Sequence, residues 1–544
     1  MRCRCFGCAQ LQAHLGVSSQ HMHRRVVLRA LGLSPLSAFA RGIGLERVGG
    51  LFAQSSVGAE PDVELALAAV PGETSLLPGA PTRLWRFTGR VIRGSDSTLQ
   101  EVDGYLGPVI RLRRGQLVRI HFENQLGEPS IVHWHGLDVP ELADGHPRFA
   151  VGHGAEYVYD FEVTNRAGTY WYHPHPHTRT AAQVYQGLAG LLLISDPEED
   201  ALELPAGAGE LLCVLQDRRF DSNNQFVYVG TAERGGMRGR MGRGRGNRMG
   251  GGMAQMETMN GWLGDRMLVS GQVQPSLDVD RRTYRVRLLN GSNARIYKLA
   301  WSDRSPMSVI GGDGGLLERV RTQRAITLAP GQRADVLLDL SQHGSGSDVR
   351  LESLAFPAAD VGRVGMMAET SPVPQGAPLT LMTLRVSGSL GPRYRAPERL
   401  STHDFSEVPA APVRRVPLTF RRMNWFLDGR VFEMQDVAEV ETVAPGSTHV
   451  WEFVNQPNPM GMAMAHPIHL HGPQFRVLAR SGGSPNELRD GIVDTGWTDT
   501  VLVLPGETVR VQVTFSQHTG LYLYHCHILE HEDMGMMRNF RIRG

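Results

Sequence analysis

Residues 521 to 537 read Leu521-Tyr-Leu-Tyr-His525-Cys526-His527-Ile-Leu-Glu-His531-Glu-Asp-Met-Gly-Met536-Met537. The aromatic and apolar run from Leu521 to His527 predicts a strand, and alternation along a strand turns His525 and His527 to one face and Cys526 to the other. One strand can then feed two different metal sites. His531 and Met536 follow in a predicted loop, and Cys, His and a weak thioether are the ligands that suit an electron-transferring copper, lacking only a second histidine. Alone, a His-x-His pair fits a surface pair or a zinc site equally well, so the rest of the chain decides.

At 544 residues the chain exceeds one ordinary core, and about 150 residues per domain suggests three or four domains. Its 63 glycines and 32 prolines make it turn-rich, and a formal net charge of +1 provides no field to recruit nucleic acid or a membrane surface. Small molecules are the expected partners. Of five cysteines, Cys3, Cys5 and Cys8 lie at the extreme N-terminus, so with Cys526 as a ligand Cys213 has no mate for a disulfide.

Residues 24 to 40 carry Arg24-Arg25, a short apolar stretch and Ala38-Phe39-Ala40, the pattern of a twin-arginine export signal cleaved near Ala40. Arg29 and Pro35 interrupt it, and it is too short to span a bilayer. The expected location is periplasmic or otherwise exported. Met22 stands two residues before the arginine pair and is an alternative start.

Strand-like segments recur behind turns at Arg114-Gly115-Gln116, Pro330-Gly331-Gln332, Pro445-Gly446-Ser447 and Pro505-Gly506-Glu507. After the last, Val509, Val511, Val513 and Phe515 share one face while Arg510, Gln512 and Thr514 share the other, which predicts an all-β sandwich. The repeat runs deeper. Gly168-Thr-Tyr-Trp-Tyr-His173-Pro174-His175 aligns without a gap to Gly520-Leu-Tyr-Leu-Tyr-His525-Cys526-His527, and His133-Trp134-His135-Gly136 matches His469-Leu470-His471-Gly472. The two end domains therefore read as copies. Only the last has a cysteine where the first has Pro174.

The predicted layout is a signal and flexible lead-in at 1–57, a first domain at 58–199, a middle domain at 200–385 without a His-x-His pair, a linker at 386–415 and a last domain at 416–544. Within the middle domain, 234–259 is almost entirely Gly, Arg and Met, too poor in bulky residues for a core, and predicts a disordered or loosely held loop.

Four i, i+2 pairs give eight histidines, each pair presenting both rings to one side of a strand. With few carboxylates beside them, imidazole plus one thiolate points to copper or zinc rather than calcium or magnesium. Here the sequence resembles the multicopper oxidase family from about residue 60 onward. It carries His-Trp-His-Gly at 133, Tyr-His-Pro-His at 172, His-Pro-Ile-His-Leu-His-Gly at 466 and His-Cys-His-Ile-Leu-Glu-His-Glu-Asp-Met-Gly-Met at 525, in that order.

The resemblance implies three cupredoxin-like Greek-key sandwiches and four copper ions. His466, Cys526 and His531, with Met536 as weak axial ligand, would bind the mononuclear copper. His133 and His469 would hold the lone copper of a trinuclear cluster, and His135, His173 and His527 together with His175, His471 and His525 its coupled pair. His177, two residues beyond His175, is the one residue able to shift that register. The family's reaction takes one electron at a time at the mononuclear site, passes it through Cys526 to its two histidine neighbours, and reduces dioxygen to two waters. Asp144 and Glu532 stand where the family places acids that deliver protons.

Gly-Trp-Leu-Gly-Asp at 261 and Arg-Leu-Leu-Asn-Gly-Ser-Asn-Ala-Arg at 287 bring the resemblance closest to exported bacterial copper-efflux oxidases and laccase-like enzymes. The Met-rich segment, however, lies upstream of Gly-Trp-Leu-Gly-Asp, a departure from the efflux oxidases. Thioethers favour cuprous ion, and Met462 and Met464, just before His466, are candidates for a substrate cuprous ion alongside the methionines of 234–259; the plainer reading makes them hydrophobic packing. The expected function is an oxidase of cuprous ion, and also of phenols, with dioxygen as acceptor, probed against a phenol-directed laccase and a copper-free exported scaffold. A monomer is expected.

Overall fold

The computed structural model describes residues 60–229, 255–362, 371–403, 405, 411–459 and 461–544. The N-terminal signal, Met22 and most of the Gly-Arg-Met segment lie outside these residues. Six sheets pair into three β-sandwiches.

In each sandwich the strands form because apolar residues alternate with polar ones, so that one face can be buried. Val63–Thr74 buries Val63, Leu65, Leu67 and Ala69 while the residues between stay partly exposed. Glu507–Thr514 does the same with Val509, Val511 and Val513, although Gln512 is also buried and accepts a hydrogen bond from Arg476. Three separate apolar clusters fill the three sandwiches.

All three share one topology. Each has a parallel pair in either sheet: Val63–Thr74 with Leu117–Asn124 and Val109–Arg113 with Gly190–Ser195 in the first, Glu210–Arg218 with Thr283–Asn290 and Ser276–Arg281 with Leu379–Leu390 in the middle, and Val413–Arg421 with Thr448–Val454 and Thr442–Val443 with Met537–Ile542 in the last. Tight hairpins alone give only antiparallel neighbours, so the parallel pairs mark Greek-key crossovers. The stretch expected as a linker begins inside the strand Leu379–Leu390, where Val386 pairs with Val279, and ends inside Val413–Arg421. Its Pro and Arg content signalled the connection, and Gly391-Pro392 after Leu390 and Pro412 before Val413 mark the strand ends inside it.

Two further apolar clusters join the sandwiches. Leu106, Val109, Trp171 and Leu191 meet Val214, Leu268 and Leu289 between first and middle, and Ile296, Ala329, Phe356 and Val361 meet Ala465, Leu502 and Leu504 between middle and last. First and last meet directly: the Asp533 carboxyl accepts from the backbone N–H groups of Thr180 (2.9 Å) and Ala181 (3.1 Å), which open the helix Thr180–Tyr185. The loop expected at 234–259 ends differently from its reading, since 255–260 is helical and Met259 is fully buried in the last sandwich's core. That core lies beyond the segment's own sequence, which is why local composition misses it.

Candidate metal centre

The repeat seen in the sequence is a repeat of register. In the first sandwich, Val132–His135 pairs with Gly168–Pro174 so that His133 faces His173 and Val132 faces Pro174. In the last, His466–Leu470 pairs with Gly520–Cys526 so that His469 faces His525 and Ile468 faces Cys526. Apart from Gly520, both strand pairs are buried throughout, one face against the core and the other against the opposite sandwich. The eight histidines therefore meet between the two ends of the chain.

Most of these rings have their proton position fixed by a partner, because a carbonyl or carboxylate oxygen can only accept from an N–H. His133 Nδ1 donates to Asp144 O (2.6 Å), His469 Nδ1 to Asp499 O (2.9 Å), His173 Nδ1 to Pro174 O (3.0 Å) and His525 Nδ1 to Cys526 O (3.2 Å). His471 Nδ1 donates to Asp144 Oδ2 (2.8 Å) and His135 Nε2 to Asp499 Oδ1 (2.9 Å). The opposite nitrogens are then bare lone pairs, and they converge. His133 Nε2 lies 3.3 Å from His469 Nε2, and His525 Nε2 lies 3.1 Å from His471 Nε2 and 3.4 Å from His175 Nε2. His135 Nδ1, His173 Nε2 and both nitrogens of His527 are buried with no hydrogen-bond partner.

Lone pairs packed this closely repel unless a cation lies among them. Protons are a poor answer, because burial holds His133, His135, His175, His471, His525 and His527 well below the usual imidazole range and pushes His173 down to about 3. Neutral imidazole is the ligand form. Donor atoms lie within 4.8 Å of one another in the groups His133–His135–His469, His135–His173–His527 and His175–His471–His525. The residues present thus fit a polynuclear metal centre. His177 is outside every such group among the described residues; it is half-buried and packs 5.0 Å from the Phe432 ring.

On the other face of Gly520–Cys526, Cys526 Sγ lies 3.4 Å from His466 Nδ1 and 3.6 Å from His531 Nδ1. His531 Nε2 donates to Met259 O (2.8 Å), leaving Nδ1 bare. Burial pushes the Cys526 thiol up and holds His466 well below its usual range, with His531 at about 3. A soft cation binding there would displace the thiol proton. Met536 is buried in the same cluster as Cys526, its carbonyl accepting from Cys526 N (3.0 Å). His531 lies within a short helix, Leu529–Asp533, where an open loop was expected, and Met536 follows that helix. Trp425 walls the site, 4.5 Å from the His466 ring and 5.1 Å from that of His531.

Two acids flank the histidine cluster. Asp144 is fully buried, and its Oδ1 has no hydrogen-bond partner. Burial, then Glu141 and Asp138, raise its carboxyl well above the usual range. Glu532 is also buried, with Oε2 3.2 Å from His525 Nδ1 and Oε1 3.5 Å from His175 Nε2; burial and then Asp533 raise it likewise. Sequence reasoning missed Asp499, which supports His135 with its side chain and His469 with its backbone. Burial would raise this carboxyl too, yet the Arg333 guanidinium and then His135 hold it well below the usual range. Its one signal was an acid at the head of the apolar run Thr500-Val-Leu-Val-Leu504.

Met464 belongs to the core cluster of the last sandwich that also holds Cys526, and Met462 packs against that cluster. Met256 and Met534 pack there as well, and Met259 lies inside. Met237, Met241, Met249, Met253 and Met460 are outside the described residues. No helix among the described residues is long and apolar enough to cross a membrane.

Sequence profiles described as multicopper oxidase match residues 91–199, 241–347 and 408–544. The chain is 31% identical, over 82% of its length and 84% of the relative's, to a protein of Staphylococcus haemolyticus named Multicopper oxidase mco. It is 30% identical, over 81% and 84%, to one of Sodalis glossinidius named Cell division protein FtsP. The crystal structure of McoA multicopper oxidase from Aquifex aeolicus superposes with a TM-score of 0.71 at 35% identity, covering 89% of this chain and 97% of that one.

Proposed function

The chain belongs to the multicopper oxidase family and is a copper-dependent oxidase with dioxygen as acceptor; from that premise we propose that it holds four copper ions and that its favoured substrate is cuprous ion. His466, Cys526 and His531, with the Met536 thioether as a weaker donor, would hold the mononuclear copper. His133 and His469 would hold the lone copper of the cluster, and His135, His173, His527, His175, His471 and His525 its coupled pair. Bound copper supplies the redox chemistry, in which four electrons taken singly from substrate reduce dioxygen to two waters.

The chain's own part is orientation, exclusion of water and proton handling. Carbonyl and carboxylate acceptors fix the tautomers of His133, His135, His173, His469, His471 and His525 before a metal arrives, which lowers the cost of ordering them. Exposure of 0–1% across these ligands keeps bulk water away. Asp144 and Glu532, whose carboxyls burial raises well above the usual range, are the groups placed to take up protons and release them into the cluster.

The observation that carries the substrate reading is the burial of His466. Its ring is 0% exposed, its Nε2 has no polar partner, and the core cluster holding Cys526 includes Met259 and Met464 with Met256, Met462 and Met534 packed on it. A phenol needs an open ligand edge, whereas a cuprous ion can be passed by thioethers. A phenol-directed laccase remains the second enzymatic reading. A copper-free scaffold, suggested by the FtsP-named relative, is opposed by the complete donor set. Steady-state oxidation of cuprous ion and of a phenol, measured side by side on the copper-loaded protein, tests the choice; faster phenol turnover would overturn it, and a colourless, copper-free protein would support the scaffold. We also propose export through Arg24-Arg25 with cleavage near Ala40: replacing both arginines with lysine should hold the precursor in the cytoplasm, and unchanged export would refute it.

A further inference from the structure

The middle sandwich contributes no residue to the donor groups found, yet one of its turns reaches them. Strand Arg333–Asp339 begins at a turn whose sequence is Pro330-Gly331-Gln332-Arg333, and Arg333 is buried and ends behind His135. A guanidinium has five N–H donors in a rigid plane, and all five are used. Nε donates to Thr169 O (3.0 Å) in the first sandwich. Nη1 donates to Gly331 O (3.0 Å) and Nη2 to Asp313 O (2.9 Å) in the middle one. The remaining two grip the Asp499 carboxylate of the last sandwich, Nη1 to Oδ1 (2.8 Å) and Nη2 to Oδ2 (2.5 Å). With every donor engaged across three sandwiches, the plane has no freedom to rotate.

The gripped carboxylate is the one that accepts from His135 Nε2, and the same residue's carbonyl accepts from His469 Nδ1. Arg333 thus sets the aim of one histidine through a side chain and of a second through a backbone. The turn also touches the rings directly. Gly331 has φ +85°, and a Cβ on it would lie 3.0 Å from His527 Cδ2 and Cγ and 3.2 Å from His135 Cε1. A Cβ on Gly136, the residue after His135, would lie 2.5 Å from Asp499 Oδ2 and 2.8 Å from Arg333 Nη2. The contacting surfaces have been cleared for this fit. A buried ion pair is weak evidence of stabilisation, since apolar replacements often serve as well; what this pair adds is direction.

We propose that the Pro330–Arg333 turn of the middle sandwich is the positioning element of the trinuclear cluster, with Arg333 fixing His135 and His469 through Asp499 and Gly331 seating His527 and His135. This rests on the assignment of those histidines as copper ligands. The middle sandwich is then part of the centre's wall as well as a spacer between the outer two.

The test uses the copper-loaded full chain and compares Arg333→Met, Arg333→Lys and Gly331→Ala with Arg480→Met, which breaks the buried Arg480–Glu507 pair of the last sandwich, neither member of which bonds a donor residue. Copper retained against a chelator, the electron paramagnetic resonance signal of the lone copper, the blue absorbance and the unfolding temperature are read on each. Arg333→Met should weaken retention of cluster copper by roughly 10- to 100-fold and alter the lone-copper signal while the blue band persists. Arg333→Lys should restore part of both. Arg480→Met should lower the unfolding temperature without changing either signal. Wild-type copper retention and signal in Arg333→Met, with only a lower unfolding temperature, would overturn the proposal. Should that variant give no folded protein, Gly331→Ala decides, because it removes no side-chain hydrogen bond: a changed cluster signal supports the proposal and an unchanged one overturns it. A wild type that binds no cluster copper would instead refute the ligand assignment beneath it.

Discussion

The first and last sandwiches run the same two strands in the same register, yet they end up with different chemistry. Where the last has Cys526 opposite Ile468, the first has Pro174 opposite Val132. Where the last has His466, three residues before His469, the first has Ser130, three before His133, and its hydroxyl donates to Gln183. The His-x-His pairs are alike, and the opposite faces share Tyr170 with Tyr522 and Tyr172 with Tyr524 but differ at Pro174 against Cys526 and Ser130 against His466. Alternation along a strand lets the two faces be chosen independently, so one copy gained a thiolate site without disturbing the pattern shared by both.

The strongest way to break this difference is to remove the thiolate. Cys526→Ser should abolish the blue absorbance and reduce oxidase turnover to background while copper held by the eight paired histidines persists, as measured by absorbance and copper content. Loss of all copper would show instead that the two faces are coupled. A smaller effect is expected on the shared face: Glu532→Gln, which keeps the shape but cannot hold the carboxyl proton, should slow dioxygen consumption by roughly 10²-fold with the blue band intact. Next comes Met464→Leu, which should lower cuprous turnover by about tenfold or less, a change of up to about 1.4 kcal/mol, and leave phenol turnover as it was. Equal losses for both substrates would make Met464 a packing residue. The smallest effect belongs to His177→Ala, which should leave copper content and colour at wild-type levels; loss of a copper would move the register by two residues.

Much of this was legible because it is local. Alternation gave the strands, and the gapless match of 168–175 to 520–527 marked the two end domains as copies, while the pairing of His133 with His173 and of His469 with His525 came only with the fold. What escaped were contributions made across long separations. Asp499 and Arg333 act from 364 and 198 residues beyond His135 in sequence, and no spacing rule links them. Met259 was read from the Gly and Arg around it, whereas its burial and its carbonyl bond to His531 depend on a core built by residues after 416. Composition describes what a segment can bury alone, and this one borrows its burial.

The approach of His133 Nε2 to His469 Nε2 spans 336 residues of chain. At typical rates of synthesis, the first ring waits on the order of half a minute for its opposite number to be made. The last ligands come later still, and strand Met537–Ile542, which pairs with Gly520–Cys526, comes after them. A chain cut short between residues 175 and 527 carries His133, His135, His173 and His175 without His527, so the donor group of His135, His173 and His527 is never completed.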